Sequence, residues 1–318
     1  GGGSLRCRGS DERGQSSPAG ELGFVALTAG SAHTCGLTSS GIASCWGANN
    51  QGQLGDGSRD PRSTPTRVRT ELRFSVLTAG ELHTCGLAGG GTPLCWGDNL
   101  SGQLGNGTRN RQSTPVIVGG GVAFREIVAG WSHTCGRSVS GNTYCWGQNN
   151  QGQLGDGTTT ARLEPELTRT AASNLVAGSQ HTCGIAGGQA VCWGGNDFGQ
   201  LGDGSTSDRS EAAPVSGLPG TPTQLAAGAV HSCALLSDGR VFCWGQNRSG
   251  QLGDGTTQDR PAPVETSGGL RFRSIYAGGA QTCGFTEDGG QYCWGLNLSG
   301  QLGDGSRTNR SVPTRVGG

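Results

Sequence analysis

The sequence contains no lysine and no methionine. All 23 of its basic residues are arginine, the bias of GC-rich, bacterial-type coding, and they meet 23 acidic residues at a formal net charge of zero. That balance removes any electrostatic reason to expect nucleic acid or an anionic membrane as a partner. Long hydrophobic runs are missing too, and nothing approaches the roughly eighteen apolar residues of a membrane-spanning helix. Leu, Ile, Val and Phe together make up only about 17% of the chain, less than an ordinary core uses. Low hydrophobicity leans towards disorder, but disorder usually couples it to high net charge, and here there is none. The few apolar residues must instead be placed with care.

What the chain does have is glycine, 63 of 318 residues, and repetition. A unit of about fifty residues returns six times, and self-similarity at that period outranks a domain count from length. Each copy reads Ala-Gly-x-x-His-(Thr/Ser)-Cys, a short link, Cys-Trp-Gly, then Gly-Gln-Leu-Gly-(Asp/Asn)-Gly and a polar loop ending in Pro, with Gln281 replacing His in the sixth. Two cysteines recur at the same places: Cys35/Cys45, Cys85/Cys95, Cys135/Cys145, Cys183/Cys192, Cys233/Cys243 and Cys283/Cys293. The sequence therefore reads as one array of six repeats over residues 21–318, preceded by a tail or the remnant of an earlier repeat over residues 1–20.

Short apolar segments set off by Gly, Asp-Gly and Pro are strands with tight turns. Four fit in each unit; in the second they are 65–68, 73–78, 83–87 and 93–97. Between the two cysteines lies a three-residue loop whose third residue is Gly41, Gly91, Gly141, Gly239 or Gly289, where a left-handed conformation is needed. The fourth unit is one residue shorter and centres on Gly187-Gly188, a two-residue hairpin turn. Counting outward from either turn sets the two cysteines opposite each other on adjacent antiparallel strands, close to disulfide range. Six hairpin-stapling disulfides are expected, each worth roughly 2 to 3 kcal/mol. Such bonds imply an extracellular, periplasmic or cell-surface location. Two other uses of the cysteines compete with this one. Buried reduced thiols are one; zinc is the other, since His-x-Cys followed by Cys offers three ligands, yet the fourth position stays open and the sixth unit has Gln281.

These motifs resemble the repeat family of the regulator of chromosome condensation, whose units carry Ala-Gly-x-x-His, Trp-Gly-x-Asn and Gly-Gln-Leu-Gly in this order. The match covers about residues 21 to 318. The resemblance implies an all-β fold, a β-propeller of four-stranded blades, with six blades visible and a seventh possible in the intact chain. The last strand, 313–316, is expected to complete the first blade, which starts near Phe24 without a Pro-x-x-Val strand. Residues 1–9 align without a gap on 89–97, which would make Cys7 the second cysteine of an earlier unit. Against that, Arg8 stands where Trp belongs and the Gly-Gln-Leu-Gly segment is missing before Pro18; a Gly/Ser tail with a chance cysteine is the competing reading.

A catalytic base is needed once, whereas His33, His83, His133, His181 and His231 recur in one frame position, so they read as structural. The same logic makes Trp46, Trp96, Trp146, Trp193, Trp244 and Trp294 framework residues, and Asp56, Asn106, Asp156, Asp203, Asp254 and Asp304 turn formers. Function is expected where the symmetry breaks, at the two variable residues between Ala-Gly and His, placed at strand ends on one face. The candidate partner-binding residues are Glu81, Leu82, Trp131, Ser132 and Gln180. Trp131 is the single tryptophan outside the framework, and an exposed Trp on a rigid face is a common binding anchor; packing under a neighbouring loop is the alternative. The Arg-bearing loops 59–64, 108–114 and 205–213 are a second variable surface.

The expected function is a non-enzymatic protein-protein interaction propeller, an exported or surface recognition module with a protein partner. No catalytic residue, metal or cofactor is expected, and a monomer is. The resemblance also allows guanine-nucleotide exchange on a small GTPase, which the disulfides oppose because such GTPases work in reducing compartments, or inhibition of a secreted enzyme.

Overall fold

The structure, a computed structural model, describes residues 11–16 and 23–317. The chain divides into two compact units, Gly1–Asn150 with Thr159–Ala171 and Gln151–Thr158 with Ala172–Gly318. Each holds three four-stranded antiparallel sheets, so the fold is all-β, with six propeller blades. In the first unit, blade 1 is β1 (Phe24–Ala29), β2 (His33–Thr38), β3 (Ala43–Gly47) and β4 (Arg62–Arg67). Blade 2 is β5 (Phe74–Ala79), β6 (His83–Ala88), β7 (Thr92–Gly97) and β8 (Gln112–Ile117). Blade 3 is β9 (Phe124–Ala129), β10 (His133–Ser138), β11 (Thr143–Gly147) and β12 (Arg162–Leu167). In the second unit, blade 4 runs from β13 (Ser173–Ala177) through β14 (His181–Ala186) and β15 (Gln189–Gly194) to β16 (Arg209–Pro214). Blade 5 has β17 (Pro222–Ala227), β18 (His231–Leu236), β19 (Val241–Gly245) and β20 (Arg260–Glu265), and blade 6 has β21 (Phe272–Ala277), β22 (Gln281–Thr286), β23 (Gln291–Gly295) and β24 (Arg310–Arg315).

The central hairpin of each blade follows from its turn. Gly41 has φ +79° and Gly141 φ +96°, a region where a side chain would be strained. In the shorter fourth blade the pair Gly187 and Gly188 takes φ +57° and +79°, the two left-handed residues of a two-residue turn. Both turns deliver the same register: Cys35 faces Cys45 in blade 1, Cys85 faces Cys95 in blade 2, Cys135 faces Cys145 in blade 3 and Cys183 faces Cys192 in blade 4. All six expected disulfides are formed within their hairpins. They join Cys35 to Cys45, Cys85 to Cys95, Cys135 to Cys145, Cys183 to Cys192, Cys233 to Cys243 and Cys283 to Cys293. Cys7 lies outside the described residues.

Two expectations about the fourth strand are corrected. Residues 65–68, read as the first strand of the second repeat, instead cover the end of β4, which closes at Arg67 and whose Arg67 and Thr66 pair with Ser44 and Cys45 of blade 1. The last strand does not complete the first blade; β24 pairs with β23, and blade 1 supplies its own β4. The physical reason lies in residues 48–61. Asn49 donates from Nδ2 to Asp56 Oδ1 at 3.2 Å, Asp56 accepts from the Ser58 backbone at 2.9 Å, and Arg62 Nε closes onto Asp56 Oδ2 at 2.9 Å. This network folds the long loop back so that β4 returns beside β3. Asp203, Asp254 and Asp304 do the same work with Arg209, Arg260 and Arg310. Four arginines that open fourth strands, Arg62, Arg209, Arg260 and Arg310, are thus paired within their own blades.

Within each unit the core sits at the seams between blades. Leu77 of β5 packs on a cluster that includes Cys35, Cys45 and Leu54 of blade 1, together with Phe74 and Trp96 of its own blade. Cys85, Cys95 and Leu104 meet Phe124, Ile127 and Trp146 in the same manner, as do Cys233, Cys243 and Leu252 with Phe272, Ile275 and Trp294. The small apolar content is therefore concentrated in thin layers, with cysteine pairs as part of the packing surface.

Candidate functional site

The first strand of each blade turns into the second through the two variable residues, and within each compact unit these turns lie side by side. A Cβ on Gly30 would collide with the carbonyl of Gly80, and one on Gly80 with that of Gly130. Close approach of three backbones aligns Ser31 and Ala32, Glu81 and Leu82, and Trp131 and Ser132 in one row on the first unit. The second unit carries its own row, tied by Ser179 N–H to Ala229 O at 2.9 Å and Ala229 N–H to Gly279 O at 2.8 Å, and Gln180 belongs to that one. The sequence candidates therefore fall in two sets, Glu81, Leu82, Trp131 and Ser132 in the first unit and Gln180 in the second. Each turn of the first set leads directly into a stapled hairpin. Glu81 and Leu82 precede the strand that carries Cys85, bonded to Cys95, and Trp131 and Ser132 precede the strand that carries Cys135, bonded to Cys145.

Beneath each row runs a fixed hydrogen-bond node. Thr84 Oγ1 donates its proton to Gln53 O at 2.9 Å, which obliges His33 to donate from Nε2 to Thr84 at 2.9 Å. Trp96 Nε1 donates to the same Gln53 carbonyl at 3.0 Å. His83 with Thr134, His181 with Ser232 and His231 with Thr282 repeat the bond between ring and hydroxyl, though at the last of these Trp294 Nε1 is buried without a hydrogen-bond partner. The Nδ1 atoms of these four rings are buried without a hydrogen-bond partner. Burial without a counter-charge favours the neutral ring and lowers the pKa to about 4 for His33 and His181 and to about 3 for His83 and His231. These histidines hold blades together.

The exposed part of the first row is distinctive. Trp131 is 47% exposed, while the other six tryptophans are sealed in the core. Leu82 and Glu81 are half-buried beside it in the row. Burial, and then the charge of Asp98, raise the pKa of the Glu81 carboxyl. Asp98 itself is held from two sides, by Gln103 Nε2 at 2.8 Å and Arg111 Nε at 2.8 Å, and its backbone N–H donates to Leu82 O at 2.9 Å. Sequence reasoning passed over Asp98 and Arg111. A signal was present: the residue after Cys-Trp-Gly is Ala48, Gln148, Gly195, Gln246 or Leu296 elsewhere, and only blade 2 places a charge there. Among the described residues no group of three or more His, Cys, Asp or Glu side chains is arranged to hold a metal ion.

The RCC1-like domain model matches residues 3–317, nearly the whole chain. The chain belongs to the RCC1-like domain family. A stretch of 43 residues is 51% identical to the ultraviolet-B receptor UVR8 of Arabidopsis thaliana, covering 14% of this chain and 10% of that protein. Prp20p of Saccharomyces cerevisiae, studied for its binding to Gsp1p and histones, superposes with a TM-score of 0.82 at 24% identity over 94% of this chain and 78% of its own. The CRINKLY WD40 ectodomain of the Arabidopsis thaliana receptor kinase ACR4 gives a TM-score of 0.57 at 22% identity, covering 89% of this chain and 83% of that one. As an RCC1-like propeller, the chain has the architecture of a protein-interaction scaffold, and among its described residues no helix is long and apolar enough to cross a membrane.

Proposed function

We propose that this RCC1-like chain is a non-enzymatic protein-recognition module working outside the reducing cytosol, and that it binds its partner through the first-unit row of Glu81, Leu82, Trp131 and Ser132. The observation that carries the reading is Trp131, a large exposed side chain on a rigid turn, flanked by Leu82 and the half-buried acid Glu81. An aromatic anchor held by fixed backbone binds at little conformational cost. Gln180 extends the proposal to the second unit's row. The disulfide in every blade supports the compartment, since such bonds persist where thiols are oxidised. Display of a related propeller as a receptor-kinase ectodomain is consistent with that setting.

Exchange of guanine nucleotide on a small GTPase is the second reading, supported by the similarity to Prp20p, whose binding to Gsp1p has been studied. The disulfides weigh against it. The test is capture from the extracellular and cell-surface fraction, comparing the native chain with Trp131→Ala and with Val139→Ala, an exposed residue outside the row. Loss of a captured protein with Trp131→Ala alone supports the row; identical capture by all three removes it.

A further inference from the structure

Beside the fourth strand of blade 1 lies a cavity of about 350 Å³, lined by Asp56, Arg62, Arg67, Arg69, Thr70 and Glu71 among others. That volume is at the small end of small-molecule sites. The backbone that presents the arginines is fixed. β4 ends at Arg67, after which Val68 N–H donates to Ala43 O at 3.0 Å, Arg69 N–H to Gly55 O at 2.8 Å and Thr70 N–H to Val68 O at 2.9 Å. Val68 is buried, and Arg67 and Arg69 on either side of it are exposed.

The three guanidiniums differ in how far they are committed. Arg62 Nε donates to Asp56 Oδ2 at 2.9 Å and its Nη2 to Ser58 Oγ at 3.3 Å, so this arginine and its acid form a neutral, tightly bonded pair. Arg67 meets only Glu71, at 3.6 Å between Nη2 and Oε2, and the Glu71 side chain is 97% exposed. An exposed pair of that length contributes little and yields to a better acceptor. Arg69 makes no ion pair or hydrogen bond through its guanidinium with any described residue; its side chain lies over Gly57, where a Cβ would stand 3.0 Å from Nη1. Thr70 Oγ1 accepts from Leu72 N–H at 3.2 Å and keeps its own proton to donate.

This surface also breaks the symmetry of the array. The residues at the places of Arg67 and Arg69 are Ile117 and Gly119 in blade 2, Leu167 and Arg169 in blade 3, Pro214 and Ser216 in blade 4, Glu265 and Ser267 in blade 5, and Arg315 and Gly317 in blade 6. Blade 1 alone carries both arginines, and a turn that every blade forms does not need them. We propose that this cavity binds a phosphate monoester, which displaces Glu71 and takes charge-assisted hydrogen bonds from Arg67 and Arg69, with Thr70 as a further donor. With Glu71 turned away, the lining carries two uncompensated positive charges, and a phosphate monoester brings close to two negative ones. The cavity shares no residue with the row of Glu81, Leu82, Trp131 and Ser132, so its ligand is independent of the partner of that row.

The test is calorimetric titration of the whole chain with inorganic phosphate at about pH 8, where the dianion prevails. Saturable binding at one site is expected. Arg67→Gln and Arg69→Gln should each weaken it roughly ten- to a hundredfold. Arg315→Gln, the same charge change at the equivalent exposed place of blade 6, should leave it unchanged. Glu71→Gln should tighten binding, because it removes the competing carboxylate. All four side chains are exposed, so the variants are expected to fold as the native chain does. Equal weakening by Arg315→Gln and Arg69→Gln would mean diffuse attraction and overturns the site, as does weaker binding with Glu71→Gln. A sugar phosphate and a phosphoserine peptide are titrated alongside. Whichever binds more tightly than inorganic phosphate identifies the carrier of the group; if neither does, the assignment to a monoester fails.

Discussion

At the seam between blades 1 and 2 one hydroxyl node joins three groups that come from far apart in the chain. Thr84 accepts from His33 and donates to the Gln53 carbonyl, which Trp96 also uses. Thr84→Val, nearly the same shape, leaves the His33 Nε2–H without its acceptor in a buried site, at a cost of roughly 1 to 3 kcal/mol. Thr84→Ser should be nearly neutral, because Ser232 fills the equivalent place under His181. Urea unfolding of the two variants checks this; equal midpoints would mean the node contributes nothing. The structural role of the histidines was legible from their recurrence. Their partner was not, since it lies in the next repeat and nothing in the local sequence marks a residue 51 positions away as a neighbour. Trp131 was legible because it breaks the repeat, whereas the Asp98 and Arg111 pair broke it at a position the eye assigns to the framework.

The hairpin is the element that the sequence specifies most fully. Loop length, glycine placement and cysteine register depend on one another locally, which is why the shorter link of blade 4 still yields a paired Cys183 and Cys192. The outer strand was legible as a strand but not in its pairing. Residues 62–67 lie nearer in sequence to β5 than to β3, and only the turn network on Asp56 brings them back. The six staples also differ in access. Cys35, Cys85, Cys135, Cys183 and Cys233 are fully buried, as are their partners Cys45, Cys95, Cys145, Cys192 and Cys243, while Cys283 in blade 6 is partly exposed. A reductant attacks only a sulfur it can reach. Under native conditions a mild phosphine should therefore reduce Cys283–Cys293 before any other pair, read as the first doubly alkylated peptide. Simultaneous reduction of all six would mean that the blades open as one before any sulfur is reached.

Across the whole molecule the buried rings make stability depend on acid. His33, His83, His181 and His231 stay neutral in the folded chain down to about pH 4 or 3, while in the unfolded chain they protonate near their ordinary 6.5. Below 6.5 the unfolded state binds more protons, so stability is full above about pH 7 and falls as the pH drops towards 4. Each ring contributes roughly 1 to 3 kcal/mol to that loss. Burial pushes the Asp56 carboxyl up, but hydrogen bonds from Ser58 and Arg62 outweigh it and hold the group below its ordinary range, which adds a loss in the same direction at lower pH still. Thermal unfolding followed from pH 8 to pH 4 should show a level Tm and then a decline beginning near 6.5. Replacing the four histidines by Gln, the residue already present at position 281, should flatten that decline. A Tm independent of pH in the native chain would show the rings to be open to solvent.

Every sheet is made from four strands consecutive in the chain, and among the described residues no repeat lends a strand to another. The boundary between repeats in the gene therefore coincides with the boundary between sheets in the protein. Duplicating or deleting one unit by recombination in the loops between β4 and β5, or their equivalents, would unpair no ladder and break no disulfide. Arrays of this construction can change their number of blades in one genetic step, with the cost confined to the two seams on either side.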